Sequence, residues 1–288
     1  MPEGNSLINL GDLSKPATVL IEKVCNAVGV IYEPTRIRRK AVADANASKI
    51  AAVAALELRE IEQRALERLV HQETRKQENI ESITAQAAGA LPATAKVETL
   101  DEDWVAHFFK QCDTVSDKEM QSLWSRLLAG EATTPGTFSK RTVDFVSTID
   151  KKDAALFTTF CQFAWMIEDL CPLIYDLKDE IYSKHGINFG VLKHLDAIGL
   201  ISFESVAGYQ RQGFRKYAHL YYYGRPTLVE FPADAGNILD VGHVLLTSTG
   251  RELAPICGSV LNLDFYDYII ARWHKNGLIT SSVLPQRK

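Results

Sequence analysis

The chain has 288 residues, of which 46% are hydrophobic and 24% charged, and its formal net charge is −4. That length allows about two domains, and the near-balanced charge excludes a global attraction to nucleic acid or to an anionic membrane. The five cysteines (Cys25, Cys112, Cys161, Cys171 and Cys257) are scattered, odd in number and without a C-x-x-C pair, which argues against a disulfide or zinc framework and for reduced thiols in a cytoplasmic protein.

The opening residues MPEGNSLINLGDLSKP lack a basic start and a long apolar run, so no signal peptide is expected. No stretch approaches the ~18 uncharged apolar residues of a spanning helix, so no membrane span is expected either. Residues 1–13 read as a loose arm. Ser14, with Pro16 in the first turn where a missing N–H costs little, is a helix-start signal, and the helix is predicted to run to about Ile31. Leu20, Val24, Ala27, Val28 and Ile31 fall on one apolar stripe. Such a stripe packs on the body of the protein or on a second copy. Beside the basic run Arg36, Arg38, Arg39 and Lys40, it is alternatively a peripheral membrane contact, because that arrangement holds anionic headgroups.

From Thr35 to about Gln86 there is neither proline nor glycine, and propensity predicts a long helix with at most one break. Its apolar positions are helical in spacing without a sustained heptad, so a coiled coil and an arm packed on a neighbouring helix both stay open. Its charges are of mixed sign, with Glu60 and Arg64 in the favourable i, i+4 order, which fits a solvated surface better than a nucleic-acid stripe. Gly89 to Val97, with Pro92, reads as a linker.

The Asp101-Glu102-Asp103 run suits the positive end of a helix whose inner face carries Trp104, Val105, Phe108 and Phe109. A catalytic acid cluster is the other reading of the same run. Ser116 and Glu119 form an S-x-x-E capping box for a helix expected to end at Gly130. Pro135-Gly136 marks a turn, Ser139 starts another helix, and Asp150 caps one predicted to continue through Phe157, Phe163 and Ile167. Beyond Leu170 the pattern changes. Asn188 to Ile201 reads as a capped helix ending in G-L-I. Strand-like runs follow at Ile201 to Val206, His219 to Tyr223 and Thr227 to Phe231. Val244 to Leu253 reads as a strand entering a helix, and Asp264 to Asn276 as a last amphipathic helix.

Two resemblances attach to these residues. Leu192, Leu195, Gly199, Leu200 and Ile201, followed by Leu245, Leu246, Thr247, Gly250 and Leu253, give a helix, G-L-I, hairpin and L-L-T-x-x-G order that resembles a winged-helix domain. The likeness implies a recognition helix before G-L-I and a wing between the strands, although the segment from Ile201 to Leu245 is long for one wing. More specifically, Trp104, Phe108, Ser116, Glu119-Met120-Gln121, Leu123-Trp124, Leu127 to Glu131, Pro135-Gly136 and Phe138 to Thr142 resemble the bacterial domain-of-unknown-function family numbered twenty-eight-oh-six. Leu10 to Val24 and Glu73 to Ile80 extend that likeness over most of the chain. The family has no established activity to carry over. The S-K-P helix followed by the Arg36 to Ala41 segment is similar to the start of some phage-exclusion proteins, an analogy at the level of organisation only.

Motifs for chemistry are missing from the sequence. The seven histidines show no metal-ligand spacing, and H-E-x-x-H, G-x-S-x-G, G-K-[ST] and G-x-G-x-x-G do not occur. Cys112 and His107 could be proposed as a dyad, but i, i+5 spacing shares a helix face poorly and a core thiol is the simpler reading. Between Asn188 and Gly258 the basic residues Lys193, Arg211, Arg215, Lys216, Arg225 and Arg251 face an equal number of acids, which suits a DNA reader badly. One basic-aromatic patch stands out: Arg211, Arg215, Lys216 and Tyr217 at a wing tip, with Lys193 on the helix before it, as a partner or nucleic-acid contact.

The expectation is therefore a mainly α chain with an α+β carboxy-terminal part: a helical arm over 1–90, a helical middle over 98–168 and a winged-helix-like end over 169–288. The functional expectation is a non-enzymatic interaction or sensor protein of bacteria or prophage, in phage defence by analogy. It would use no cofactor and no metal, and would engage a protein partner or a second copy through Leu20, Val24, Val28 and the Arg36 to Lys40 run. A winged-helix DNA-binding regulator is the alternative.

Overall fold

The structure is a computed structural model that describes residues 14–29 and 60–282. The chain is mainly helical, with an α+β carboxy-terminal part. It divides into two compact units, Met1–Ser147 and Thr148–Lys288. That division does not coincide with the boundaries expected near residues 90 and 168. The end of the arm shares its core with the helical middle, and the last helix of the expected middle belongs to the second unit.

In the first unit, α1 (Lys15–Val28) starts where Ser14 Oγ accepts a hydrogen bond from the Ala17 N–H at 3.4 Å, and it stops at Gly29 in the left-handed region. Its apolar stripe faces its own chain: Leu20, Ile21 and Val24 are buried, and the helix packs on α2 (Glu60–Ala90) and α3 (Glu102–Cys112). Leu20 and Val24 are thereby corrected as partner or membrane contacts, because no solvent-facing surface remains on them. Val28 is half-buried. Arg36, Arg38, Arg39 and Lys40, and the first part of the expected long helix, lie outside the described residues.

Helix α2 changes character along its length. Ile61 and Leu69 are exposed, whereas Ile80, Ile83 and Ala87 are buried against α4 (Lys118–Thr133). It also runs to Ala90, into the expected linker. A buried amide network ties α2 to α4. Gln121 Nε2 donates to Asn79 Oδ1 (3.0 Å) and to the Val115 carbonyl (2.9 Å), and Gln121 Oε1 accepts from Ser82 Oγ (2.9 Å). The side chains of Asn79, Ser82 and Gln121 thus find partners in one another where the packing excludes water.

Asp101 caps α3, its carboxylate accepting from the Asp103 N–H. The aromatic face of that helix makes the core as its spacing foretold: Phe108 stacks on Trp104 and meets the edge of Trp124, with ring centroids 5.2 and 5.1 Å apart. Two local expectations shift. The cap of α4 is Asp117, which accepts from the Glu119 and Met120 N–H groups, while Ser116 Oγ accepts from Arg75 Nε instead. Gly130 does not end α4, which continues to Thr133, and α5 (Lys140–Thr148) follows the turn.

In the second unit α6 (Lys151–Cys161) ends six residues before its expected end at Ile167. Ala164 to Ile167 is strand β1, paired antiparallel with β2 (Asp169–Pro172) through a turn at Glu168, whose φ is 64°. The alternation of buried Trp165 and Ile167 with exposed Met166 has the period of a strand, a signal that the preceding helical spacing masked. Two helices, α7 (Glu180–Ser183) and α8 (Phe189–Ala197, capped by Asn188), lead into β3 (Ile201–Phe203). Strands β4 (Tyr209–Phe214), β5 (Tyr217–Tyr222), β6 (Arg225–Glu230), β7 (Asn237–Gly242) and β8 (Val244–Leu246) follow. Helices α9 (Ser248–Leu253) and α10 (Leu263–Lys275) precede β9 (Ile279–Ser282).

The strands form one five-stranded antiparallel sheet, in the order β2-β1-β5-β6-β9, and the two pairs β3-β8 and β4-β7. The helix, G-L-I strand and returning L-L-T strand are present, but the span between them is not one wing. β4 pairs with β7, and β5 and β6 leave to build the middle of the large sheet. The simple winged-helix arrangement is therefore not what the chain adopts.

The two motifs behind that expectation instead lock each other. Thr247 Oγ1 caps α9 and donates to the Gly199 carbonyl at 2.7 Å. A Cβ on Gly250 would stand 2.0 Å from the Leu200 carbonyl oxygen, so only glycine lets α9 approach this backbone. On one face of the large sheet Trp165 stacks on Tyr222 and Tyr266 and meets Trp273 at 4.8 Å, the aromatic centre of the second unit.

Candidate functional site

The basic-aromatic patch expected at a wing tip is not a tip. Arg211 lies within β4 and its guanidinium is held against Asp169, which Arg251 also approaches at 3.7 Å. The hydrogen bond to Asp169 raises the Arg211 pKa further. Lys216 is 3.8 Å from Asp234, and Lys193 is 3.5 Å from Asp196 with its ammonium over the Phe203 ring. Arg215 and Tyr217 are exposed. Three of the four cations are thus matched by carboxylates, so the five residues do not converge on a positive surface.

The residues behind the family resemblance build a structural knot in the first unit. Glu131, 3% exposed, accepts hydrogen bonds from the Gly136 N–H at 2.6 Å and the Phe138 N–H at 2.8 Å. Trp104 Nε1 donates to the Phe138 carbonyl at 2.8 Å. A Cβ on Gly130 would stand 2.7 Å from the Phe138 ring, so the glycine makes room for that ring against the helix. Leu127 to Glu131 and Pro135 to Phe138 are therefore legible as packing and turn-fixing residues.

The reactive side chains are tied up in similar ways. His107 Nε2 lies 2.8 Å from Asp144 and His194 Nε2 2.8 Å from Asp153. Cys112 is not the partner of His107: it is buried, and that burial pushes its thiol pKa well up. Burial does the same to Cys161 and pushes Cys171 up to about 12, so these thiols stay protonated and weakly nucleophilic at neutral pH. Among the described residues no group of three or more histidine, cysteine and carboxylate side chains could hold a metal ion. Nor is any described helix long and apolar enough to cross a membrane.

What the sequence did not disclose is a cavity of about 520 Å³ in the second unit, within the range of small-molecule sites. Strand alternation builds its wall. Trp165 and Tyr222 point into the aromatic centre, so Met166 and Tyr221, partners in the β1–β5 register, share the opposite face and line the cavity. Leu170, Ala254 and Pro255 add apolar surface. Cys161, Gly258 and Ser259 lie along it as well, and no lining residue carries an ionised side chain.

Tyr223 sets the geometry of this wall. It occupies, with Gly224, the two-residue turn between β5 and β6, and both have positive φ, 48° and 76°. Such a turn favours Asn-Gly, and a bulky residue there is strained on the order of 1–2 kcal/mol. The hydroxyl compensates: it lies 3.1 Å from the Cys161 carbonyl and 2.6 Å from Ser259 Oγ, and its ring meets the edge of Tyr222. Burial pushes the Tyr223 pKa up to about 12, so it is a neutral phenol at physiological pH. The sequence signal was present in Tyr223-Gly224 between two strand-like runs, but the face these tyrosines share depends on β1, which was read as helix.

Fold and site together define a mainly helical protein with an antiparallel α+β second unit that carries an uncharged, tyrosine-lined cavity. The chain belongs to the family described as Protein of unknown function (DUF2806), which matches residues 63–270. No curated protein and no solved structure matches it.

Proposed function

We propose that the protein works by binding and not by chemistry, as an interaction or sensor protein whose second unit takes a small apolar molecule into the Tyr223 cavity. The observation that carries this reading is the cavity's lining: apolar walls, a strained tyrosine fixed at their edge, and no ionised side chain. General acid–base or nucleophilic catalysis would need a group poised near neutrality. Two of the titratable groups in the lining, Cys161 and Tyr223, are instead shifted away from it.

The test is binding of nile red, an apolar fluorescent dye. Its emission should rise with the full chain and fall back when Met166→Asp places a charge in the wall. A dye that ignores the protein, or that binds both forms alike, would refute the reading. The DNA-regulator alternative gains nothing from the paired state of Arg211, Lys216 and Lys193. A role in phage defence rests on the likeness of the amino-terminal segment, and comparing phage plating on cells with and without the gene tests it.

A further inference from the structure

We infer that the cavity selects an uncharged, flat apolar molecule carrying a hydrogen-bond acceptor, such as a ketone carbonyl, which the Ser259 hydroxyl engages as donor. The inference rests on the binding reading above and adds the class of ligand. Its first premise is the direction of the hydrogen bonds at Tyr223. The phenol donates to Ser259 Oγ at 2.6 Å, with the Cys161 carbonyl at 3.1 Å as a second, more distant acceptor. Burial pushes the Tyr223 pKa up to about 12, so at neutral pH the phenol holds the proton it gives.

A serine hydroxyl has one proton and two lone pairs. Tyr223 occupies one lone pair, and the proton of Ser259 finds no protein acceptor among the described residues. Ser259 is half-buried and lines the space, so a ligand reaches it without unfolding anything. A ligand acceptor completes a head-to-tail chain from Tyr223 to Ser259 to ligand, and such chains polarise in the same sense. A ligand donor at the same place would be a second donor to one oxygen, and would shut the serine proton away from water without a partner.

The rest of the lining sets the remainder of the class. No ionised side chain lines the cavity, so a charged group would be desolvated without a partner. The rings of Tyr221 and Tyr223 and the thioether of Met166 offer flat, polarisable surface suited to an aromatic or other planar body. The strain at Tyr223 gains a reason here: relaxing the turn would withdraw the hydroxyl that fixes Ser259 Oγ.

The experiment uses methyl naphthyl ketone and isopropenylnaphthalene, which share one outline and differ by an oxygen in place of a CH₂ group. Their affinities for the full chain and for Ser259→Ala are measured by equilibrium dialysis. The ratio between the two proteins is read for each compound, because the ketone alone also gives up water partners on entry. Ser259→Ala should weaken the ketone about 3- to 10-fold, the factor expected for one neutral hydrogen bond, and leave the hydrocarbon unchanged. Tyr223→Phe keeps the ring but no longer holds or polarises Ser259, so the ketone should lose part of that factor and the hydrocarbon none. Indole, a flat N–H donor without an acceptor, should be indifferent to Ser259→Ala. An unchanged ketone affinity in Ser259→Ala, or a larger loss for indole than for the ketone, would overturn the acceptor rule and leave the binding reading standing. Failure of the full chain to bind any of these compounds or nile red would overturn both.

Discussion

Replacing Glu131 discriminates two readings by sign. Position 131 is in the last turn of α4, where a carboxylate faces the negative end of the helix. An exposed glutamate there would be unfavourable, and Glu131→Gln would stabilise by about 0.3–1 kcal/mol. The structure instead buries Glu131 and gives it two backbone donors, Gly136 N–H and Phe138 N–H, at 2.6 and 2.8 Å. In Glu131→Ala both donors lose their acceptor where water has little access, at about 1–3 kcal/mol each, or roughly 2–6 kcal/mol together. Glu131→Gln keeps one acceptor and turns an amide N–H₂ toward the other donor, so it should also destabilise, by roughly half that amount.

The assay is thermal unfolding followed by fluorescence of Trp104 and Trp124, both in the first unit. At about 2–4 °C per kcal/mol, Glu131→Ala should lower the midpoint by roughly 4–24 °C. A raised or unchanged midpoint in Glu131→Gln would refute the account of the knot, because a surface carboxylate would then be the better description.

Other outcomes follow from the same structure. Trp124→Ala, at a fully buried position against Phe108, should cost about 3–5 kcal/mol in chemical denaturation, and an unchanged midpoint would contradict the core. Burial raises the pKa of Tyr223 and Tyr268 to about 12, against an unfolded value near 10. Their contribution to stability is therefore complete below about pH 10 and lost as pH rises towards 12, so tyrosinate absorbance should lag and then appear together with unfolding. A thiol reagent on the native protein should modify the half-buried Cys25 and Cys257 well before the buried Cys112, Cys161 and Cys171, and early loss of all five thiols would contradict that order. A DNA titration at moderate salt should show only weak, sequence-independent binding through the second unit, because Arg211, Lys216 and Lys193 are already paired with carboxylates; a tight complex would restore the regulator alternative.

Helix starts were legible in the sequence because a cap is a local device: Ser14, Asp101 and Asn188 each hold an N–H two or three residues on. The α3 core was legible too, since Trp104, Phe108 and Phe109 repeat at the helical period. Near misses arose where two local signals competed, as when Asp117 took the cap from Ser116, or where a glycine served packing instead of termination, as Gly130 does beneath Phe138.

Contacts between distant segments decided the rest. An amphipathic stripe states that Leu20 and Val24 must be covered, but not by what, and only the folded chain puts α2 and α3 over them. Arg211 and Asp169 are 42 residues apart, so their mutual neutralisation cannot be read from a count of charges along one segment. The cavity depends on Met166 facing Tyr221 across the sheet, with Tyr223 bonded to Cys161 and Ser259. Strand pairing joins residues with no fixed spacing in sequence, and for that reason composition and periodicity determined the helices of this protein while tertiary structure alone decided its site.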